Sequence, residues 1–240
     1  MLCDFEVKAL PVALIEQLWN EQQLMDPVKA PAWKLWNYES PMVILGCSQR
    51  RFLKELDKAF DTQILIRESG GGAVLAGPWM MGISVSLPIN HHLVSGGPVD
   101  SYKWFGELIA NVLNQLGVNG AYAISPAQLK ADLNAGNFKP VSWACFGGRS
   151  PWEVLTADGK KIAGLAQVRR RNGVLLVAGI LINPTPWGLL CSALEQDELD
   201  AVRLTNLTSS CSNQIKGNFD LMDLEQLIGD ALHARLSSDL

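Results

Sequence analysis

Histidine is scarce in this chain of 240 residues: there are three. His91 and His92 are neighbours in a loop-like stretch and His233 stands in a distant segment of helical pattern, so neither a histidine metal centre nor a Ser-His-Asp triad has its parts. Cysteine is sparse and unpaired. The five cysteines, Cys3, Cys47, Cys145, Cys191 and Cys211, are odd in number, irregularly spaced and without a C-x-x-C pair, which favours reduced thiols in a cytoplasmic protein over disulfides or a zinc site. No metal site is expected. The longest apolar run, 174–182 broken by Gly179, falls far short of the roughly 20 residues that span a bilayer, so no membrane partner is expected. Acidic residues follow Met1 where a secretory signal carries basic ones. A formal charge of -4 offers nucleic acid no electrostatic footing. Neither G-x-x-x-x-G-K-[ST] nor G-x-G-x-x-G occurs, which removes the phosphate loop and the dinucleotide fingerprint.

What is present begins with Arg67-Glu68-Ser69-Gly70-Gly71-Gly72-Ala73-Val74, after the apolar run Ile64-Leu65-Ile66. Three glycines at the end of a strand let the backbone take positive φ and approach a ligand closely. A second segment, Lys160-Lys161-Ile162-Ala163-Gly164-Leu165-Ala166-Gln167, puts a lysine at the start of a small-residue strand. Period-2 geometry sets Lys161, Ala163, Leu165 and Gln167 on one strand face. Together the two segments suggest a site that grips an acyl group and manages charge at its carboxyl end.

Around them the pattern mixes helices with hairpins. Residues 11–25 read as an amphipathic helix with Ile15, Leu18, Trp19 and Leu24 as its apolar positions. Residues 33–36 and 42–45 read as short strands around the turn Glu39-Ser40-Pro41, paired as a hairpin or lying side by side. A helical patch is expected near 51–60. Residues 81–87 alternate, with Gly82, Ser84 and Ser86 forming a small, polar face suited to a ligand. A helix after Asp100 or Ser101 carries Trp104, Phe105, Leu108, Ile109, Val112 and Leu113 and ends at Gly117. Residues 119–124 read as a strand, and 125–143 show little periodicity. Strands at 152–156, 161–169 and 174–182, joined by Asp158-Gly159 and Asn172-Gly173, form an antiparallel meander. The chain closes in helices, the last with Leu221, Leu224, Leu227, Ile228 and Leu232 as its core stripe. The expected class is α/β (α+β): one domain over 1–240 with a mixed, largely antiparallel sheet flanked by helices.

Cys145, in Trp143-Ala144-Cys145-Phe146-Gly147-Gly148, has two readings: a buried inert thiol, or a nucleophile activated by a nearby cation such as Lys161. Lys161 is likewise either a solvated lysine beside a turn or a charge aimed at an acyl carbonyl.

The motif R-x-S-G-G-G-A-V followed by G-K-K-I-A-G-x-A-Q-x-R resembles the lipoate-protein ligase A and octanoyltransferase family, which is related to biotin-protein ligases. The stretch from Pro41 to Gln49 is similar to that family's P-x-V-x-L-G-x-x-Q element, and Cys145-Phe146 ahead of Ser150-Pro151-Trp152-Glu153 extends the match. The resemblance implies a catalytic domain that attaches an octanoyl or lipoyl group to a lysine of a lipoyl domain. The acceptor would be a 2-oxoacid dehydrogenase acyltransferase subunit or the glycine-cleavage H protein. It also implies residue roles. Lys161 matches the essential lysine and Cys145 the acyl-thioester nucleophile. Arg67, Ser69, Gly70, Gly71, Gly72, Ala73 and Val74 match the acyl and adenylate loop, and Gly164, Ala166 and Gln167 the tunnel wall. No tightly bound cofactor is implied. Lipoate or octanoate is substrate, acyl carrier protein is the donor in the favoured reading, and ATP with Mg enters only if the protein is an ATP-dependent ligase. The chain departs from the family pattern at Leu75-Ala76-Gly77-Pro78, at Leu165 and at Val177-Ala178-Gly179, and an acyl-binding protein without catalysis is the third reading. No C-terminal accessory domain is expected.

Overall fold

The computed structural model describes residues 10–55, 63–136 and 139–237. Its strands are β1 (Ala32–Asn37), β2 (Met42–Leu45), β3 (Ile64–Ile66), β4 (Val74–Ala76), β5 (Met80–Leu87), β6 (Tyr122–Ala123), β7 (Val154–Leu155), β8 (Lys161–Arg170) and β9 (Gly173–Leu181). Its helices are α1 (Val12–Gln23), α2 (Phe52–Glu55), α3 (Pro98–Ser101), α4 (Lys103–Gln115), α5 (Pro126–Asn134), α6 (Trp187–Ala193), α7 (Glu198–Leu207), α8 (Cys211–Gln214) and α9 (Leu221–Ser237). None of the described helices is long and apolar enough to cross a membrane.

Six strands form an antiparallel sheet in the order β1-β5-β9-β8-β7-β6, and β3-β2-β4 form a smaller mixed sheet. This is the mixed, largely antiparallel architecture with flanking helices that the pattern predicts. The β7-β8-β9 meander is present, with Gly164 opposite Gly179 and Arg170 opposite Gly173. Period 2 assigns the two faces of β5. Met81, Ile83, Val85 and Leu87 enter one hydrophobic core with α4 and α9, where Phe105, Ile109 and Leu113 are fully buried. Each such side chain contributes about 1.5–3 kcal/mol by leaving water. On the other face Met80 joins a second core built from the small sheet, α6 and Leu204 of α7.

Three expectations need correction, and one helix forms where the sequence pattern gave no periodicity. The 33–36 and 42–45 strands do not pair: β1 joins the large sheet through β5, while β2 sits at the centre of the small one. The Gly82-Ser84-Ser86 face of β5 does not front a ligand. Tyr38 covers Gly82, Ser84 Oγ accepts from Trp36 Nε1 at 3.0 Å, and Ser86 Oγ donates to Gln23 Oε1 at 2.9 Å. Residues 125–143, without periodicity, contain α5, which has no buried residue but starts from a Ser125/Gln128 capping box with Pro126 in its first turn. Finally, α1 buries only part of its expected apolar stripe: Leu24 is buried and Trp19 packs on Trp36, but Ile15 is 38% and Leu18 50% exposed, whereas Glu16 is 8% exposed. Of the patch predicted near 51–60, α2 is described and 56–60 lie outside the described residues.

Candidate active site

The glycine loop is built for backbone contact. Gly71 has φ of +96°, and a Cβ on Gly46 would stand 2.0 Å from the Gly71 oxygen. A Cβ on Gly72 would meet the Ala144 carbonyl carbon and the Cys145 nitrogen at 2.6 Å, closer than atoms approach. The absence of side chains therefore lets residues 143–145 lie against the loop. There Ala73 N donates to Trp143 O and Cys145 N to Ala73 O, each at 2.8 Å. Gln49, at the end of the Pro41-to-Gln49 element, braces the same segment by donating to Trp143 O at 2.8 Å. Arg67 staples the loop from within: its guanidinium donates to the carbonyls of Ile44, Gly70 and Gly72.

This clamp presents Cys145, the first residue of a short 3-10 turn, as a partly exposed thiol. Its Sγ lies 3.9 Å from where a Gly71 Cβ would be. Behind it is Lys161, 2% exposed. The Lys161 ammonium donates to Cys145 O at 2.8 Å, Gly148 O at 3.2 Å and Glu153 Oε1 at 2.7 Å, which uses all three of its donors. Burial raises the Glu153 pKa, while Lys161 and the N–H groups of Ser150 and Leu165 pull it back. Trp152 has a φ of +69°, an uncommon conformation for a bulky residue, at the turn that sends Glu153 inward.

Cys145 lines a cleft that is continuous with solvent. One wall is apolar and comes from β8 and β9: Gly164, Leu165, Ala166, Leu175, Val177 and Ala178. The opposite wall brings Glu16, Gln17, Asn20 and Glu21 of α1 with Tyr38. Glu16 Oε2 accepts from the Tyr38 hydroxyl at 2.7 Å. Burial pushes the Glu16 pKa up to about 7, opposed by the Tyr38 hydrogen bond and the Arg67 charge.

Of the residues predicted from sequence, Cys145, Arg67, Ser69, Val74, Gly164 and Ala166 line the cleft. Gly70, Gly71, Gly72 and Ala73 are not among its lining residues; in Gly71, Gly72 and Ala73 it is the backbone that shapes the Cys145 segment. Gln167 also stands outside it, donating to Pro98 O at 2.6 Å. Lys161, read from sequence as a solvated lysine or a charge aimed at an acyl carbonyl, is buried against Cys145 O with its charge turned to Glu153. Sequence reasoning missed Glu153, Glu16 and Tyr38. Glu153 had a signal, since Ser150-x-x-Glu153 is the spacing by which a carboxylate receives the backbone N–H of the serine three residues earlier. Glu16 had none, because a glutamate on an amphipathic helix reads as solvated.

Comparison with known proteins shows which family the chain resembles and which solved folds it shares. A family model described as the lipoyl protein ligase A/B catalytic domain matches residues 11–215. The octanoyltransferase LipM of Kyrpidia tusciae is 30% identical over 163 residues, which cover 66% of this chain and 57% of that protein. The LipM of an Exiguobacterium species is 29% identical over 173 residues, covering 70% and 60%. This chain thus spans about three fifths of the length of those relatives. Among solved structures, a T. acidophilum protein with bound lipoic acid superposes with a TM-score of 0.64 at 17% identity, covering 94% of this chain and 81% of that one. Lipoate-protein ligase A bound with ATP gives the same TM-score and coverages at 16% identity. Both are likenesses of fold. Since the family model takes in well over half of the chain, the protein belongs to the lipoyl protein ligase A/B catalytic domain family.

Proposed function

We propose that this protein is an octanoyltransferase working through a thioester on Cys145. The observation that carries the reading is the thiol itself, held by the glycine loop at the end of an apolar cleft. In the first half-reaction the Cys145 sulfur attacks the carbonyl of an octanoyl thioester on acyl carrier protein; the new C–S bond forms as the donor C–S bond breaks, and the donor leaves as its thiol. In the second, the neutral amine of a lipoyl-domain lysine attacks the Cys145 thioester. An amide forms, one proton is released from the amine, and Cys145 returns as a thiol.

The other residues support these steps. The apolar β8–β9 wall seats the chain by removing it from water, at about 25 cal/mol per Å² buried. Arg67 and Gly72 fix the backbone that carries the nucleophile. Lys161 is a positioning residue in this arrangement. Its ammonium anchors both ends of the 145–148 turn, and Glu153 anchors the ammonium. The relatives named octanoyltransferase LipM favour the same transfer.

Incubation with octanoyl acyl carrier protein followed by intact mass is expected to show one octanoyl adduct, absent from Cys145→Ala. The acylated protein is then expected to pass the group to a lipoyl-domain lysine. Pyrophosphate exchange dependent on lipoate, without a Cys145 adduct, would replace this reading by an ATP-dependent ligase. Fatty-acid binding with neither reaction would leave an acyl-binding protein.

A further inference from the structure

The wall that β8 and β9 give the cleft is graded along its length. Cross-strand neighbours in an antiparallel pair face the same way, so the wall is made of register pairs: Gly164 with Gly179, Ala166 with Val177, and Val168 with Leu175. The alternate residues Leu176, Ala178 and Ile180 point the other way, into the core beneath α4 and α9. Ala166, Val168, Val177 and Gly179 are only half-buried, so this face is open to the cleft rather than filled by the fold. From one pair to the next the side chains grow, from none, to Ala and Val, to Val and Leu. Cys145 stands at the glycine end: the Lys161 ammonium that holds its carbonyl lies 3.5 Å from where a Gly164 Cβ would be, as does the Phe146 ring. The far end is tied across. Past Val168 the same strand face reaches Arg170, which pairs with Glu68 at 2.5 Å, and the Asn172 side chain donates to the carbonyls of Leu24 and Met25 just beyond α1.

We propose that Val168 and Leu175 form the stop that limits the length of the acyl chain this protein takes. From the glycine pair to the Val168–Leu175 pair the wall runs about 13 Å, at roughly 3.3 Å per strand residue. A zigzag of eight carbons with bonds of about 1.5 Å is on the order of 9 Å long, and one of twelve on the order of 14 Å. With its thioester head at Cys145, the shorter chain ends against Val168 and Leu175, and the longer one overruns them. Overrunning is unfavourable on two counts. The branched side chains yield only by straining their packing. Beyond them stand the charges of Arg170 and Glu68, where a further methylene finds no apolar surface and gains nothing by its extra length.

The inference rests on the acyl-transfer reading for its substrate class, and its test separates the two. Pantetheine thioesters of hexanoate, octanoate and dodecanoate are compared by the rate of Cys145 acylation, followed by intact mass. The wild type is expected to react at least about tenfold faster with octanoyl than with dodecanoyl. Val168→Ala clears the stop and is expected to narrow that ratio severalfold. Ala166→Leu sets a branched side chain one register pair nearer to Cys145, and is expected to slow octanoyl at least about tenfold relative to hexanoyl. The two substitutions shift the preference in opposite directions, which loss of folding cannot do. In parallel, the free acids are titrated calorimetrically into Cys145→Ala with and without each substitution, and the affinities are expected to follow the same order. Equal rates for octanoyl and dodecanoyl in the wild type, or chain-length ratios unmoved by both substitutions, would overturn the stop. The calorimetric shifts without acylation of any form would uphold it and overturn the thioester mechanism instead. Binding of none of the acids together with no acylation would overturn both.

Discussion

Two buried glutamates flank the candidate nucleophile, and their surroundings differ. Glu153 is 2% exposed and lies 2.7 Å from the Lys161 ammonium, with two backbone N–H groups on its remaining oxygen sites. Glu16 is 8% exposed and meets a phenol. Both carboxyls pay desolvation, and both pKa values are raised. A full countercharge makes the first a fixed strut behind Cys145. A neutral partner leaves the second able to take up a proton near neutrality, on the wall that fronts the cleft. Burial alone therefore does not define a role; the partner does.

The comparison breaks most visibly if one member of the strut is removed. Lys161→Met leaves Glu153 buried without its countercharge and is expected to cost about 3–5 kcal/mol in denaturant unfolding, much of it recovered in Lys161→Met/Glu153→Leu. A loss under about 1 kcal/mol in the single variant would mean that the pair is not a buried strut.

Glu16 predicts a pH signature next. Its carboxyl titrates near 4.5 in the unfolded chain and at about 7 in the fold, so between those values the native state binds more protons. Stability therefore falls as pH rises through that window, by on the order of 3 kcal/mol in all. In Glu16→Gln that portion of the slope is expected to vanish from unfolding curves taken between pH 4.5 and 7. An unchanged slope would place the titration elsewhere.

The smallest expected effect separates two neighbouring glycines. Gly72→Ala drives a methyl into the Cys145 backbone and is expected to cost about 1–3 kcal/mol and to slow thiol labelling or acylation of Cys145. Gly70→Ala meets nothing within 4 Å and is expected to change stability by under about 1 kcal/mol. Equal effects would remove the steric basis for the clamp.

Much of the fold was legible where one local rule dominated. The β7-β8-β9 meander follows from alternation and two turn dipeptides, and α4 from its apolar stripe closed by Gly117. Elsewhere a second rule won. Helix α5 buries nothing and so has no periodicity to detect; its signal is the capping box Ser125-Pro126-Ala127-Gln128 alone. Helix α1 was recognised, and Trp19 and Leu24 pack inward as assigned, but Ile15 and Leu18 are exposed while Glu16, Gln17 and Asn20 line the cleft. Adjacent strands β1 and β2 were separated into two sheets by pairings with partners more than twenty residues away in sequence, which no local pattern encodes.

By itself the sequence determined the parts list: a glycine triplet, a lysine that opens a strand, a cysteine ahead of two glycines, and an antiparallel meander. These depend on backbone sterics and side-chain period, which act over a few residues. Only the tertiary structure decided that the triplet supports Cys145 with its backbone, that Lys161 spends its charge on Glu153 behind the thiol, and that a glutamate from the first helix faces the cleft. Those outcomes turn on which groups lose water together and which partner each then finds, and these are properties of distant segments brought into contact.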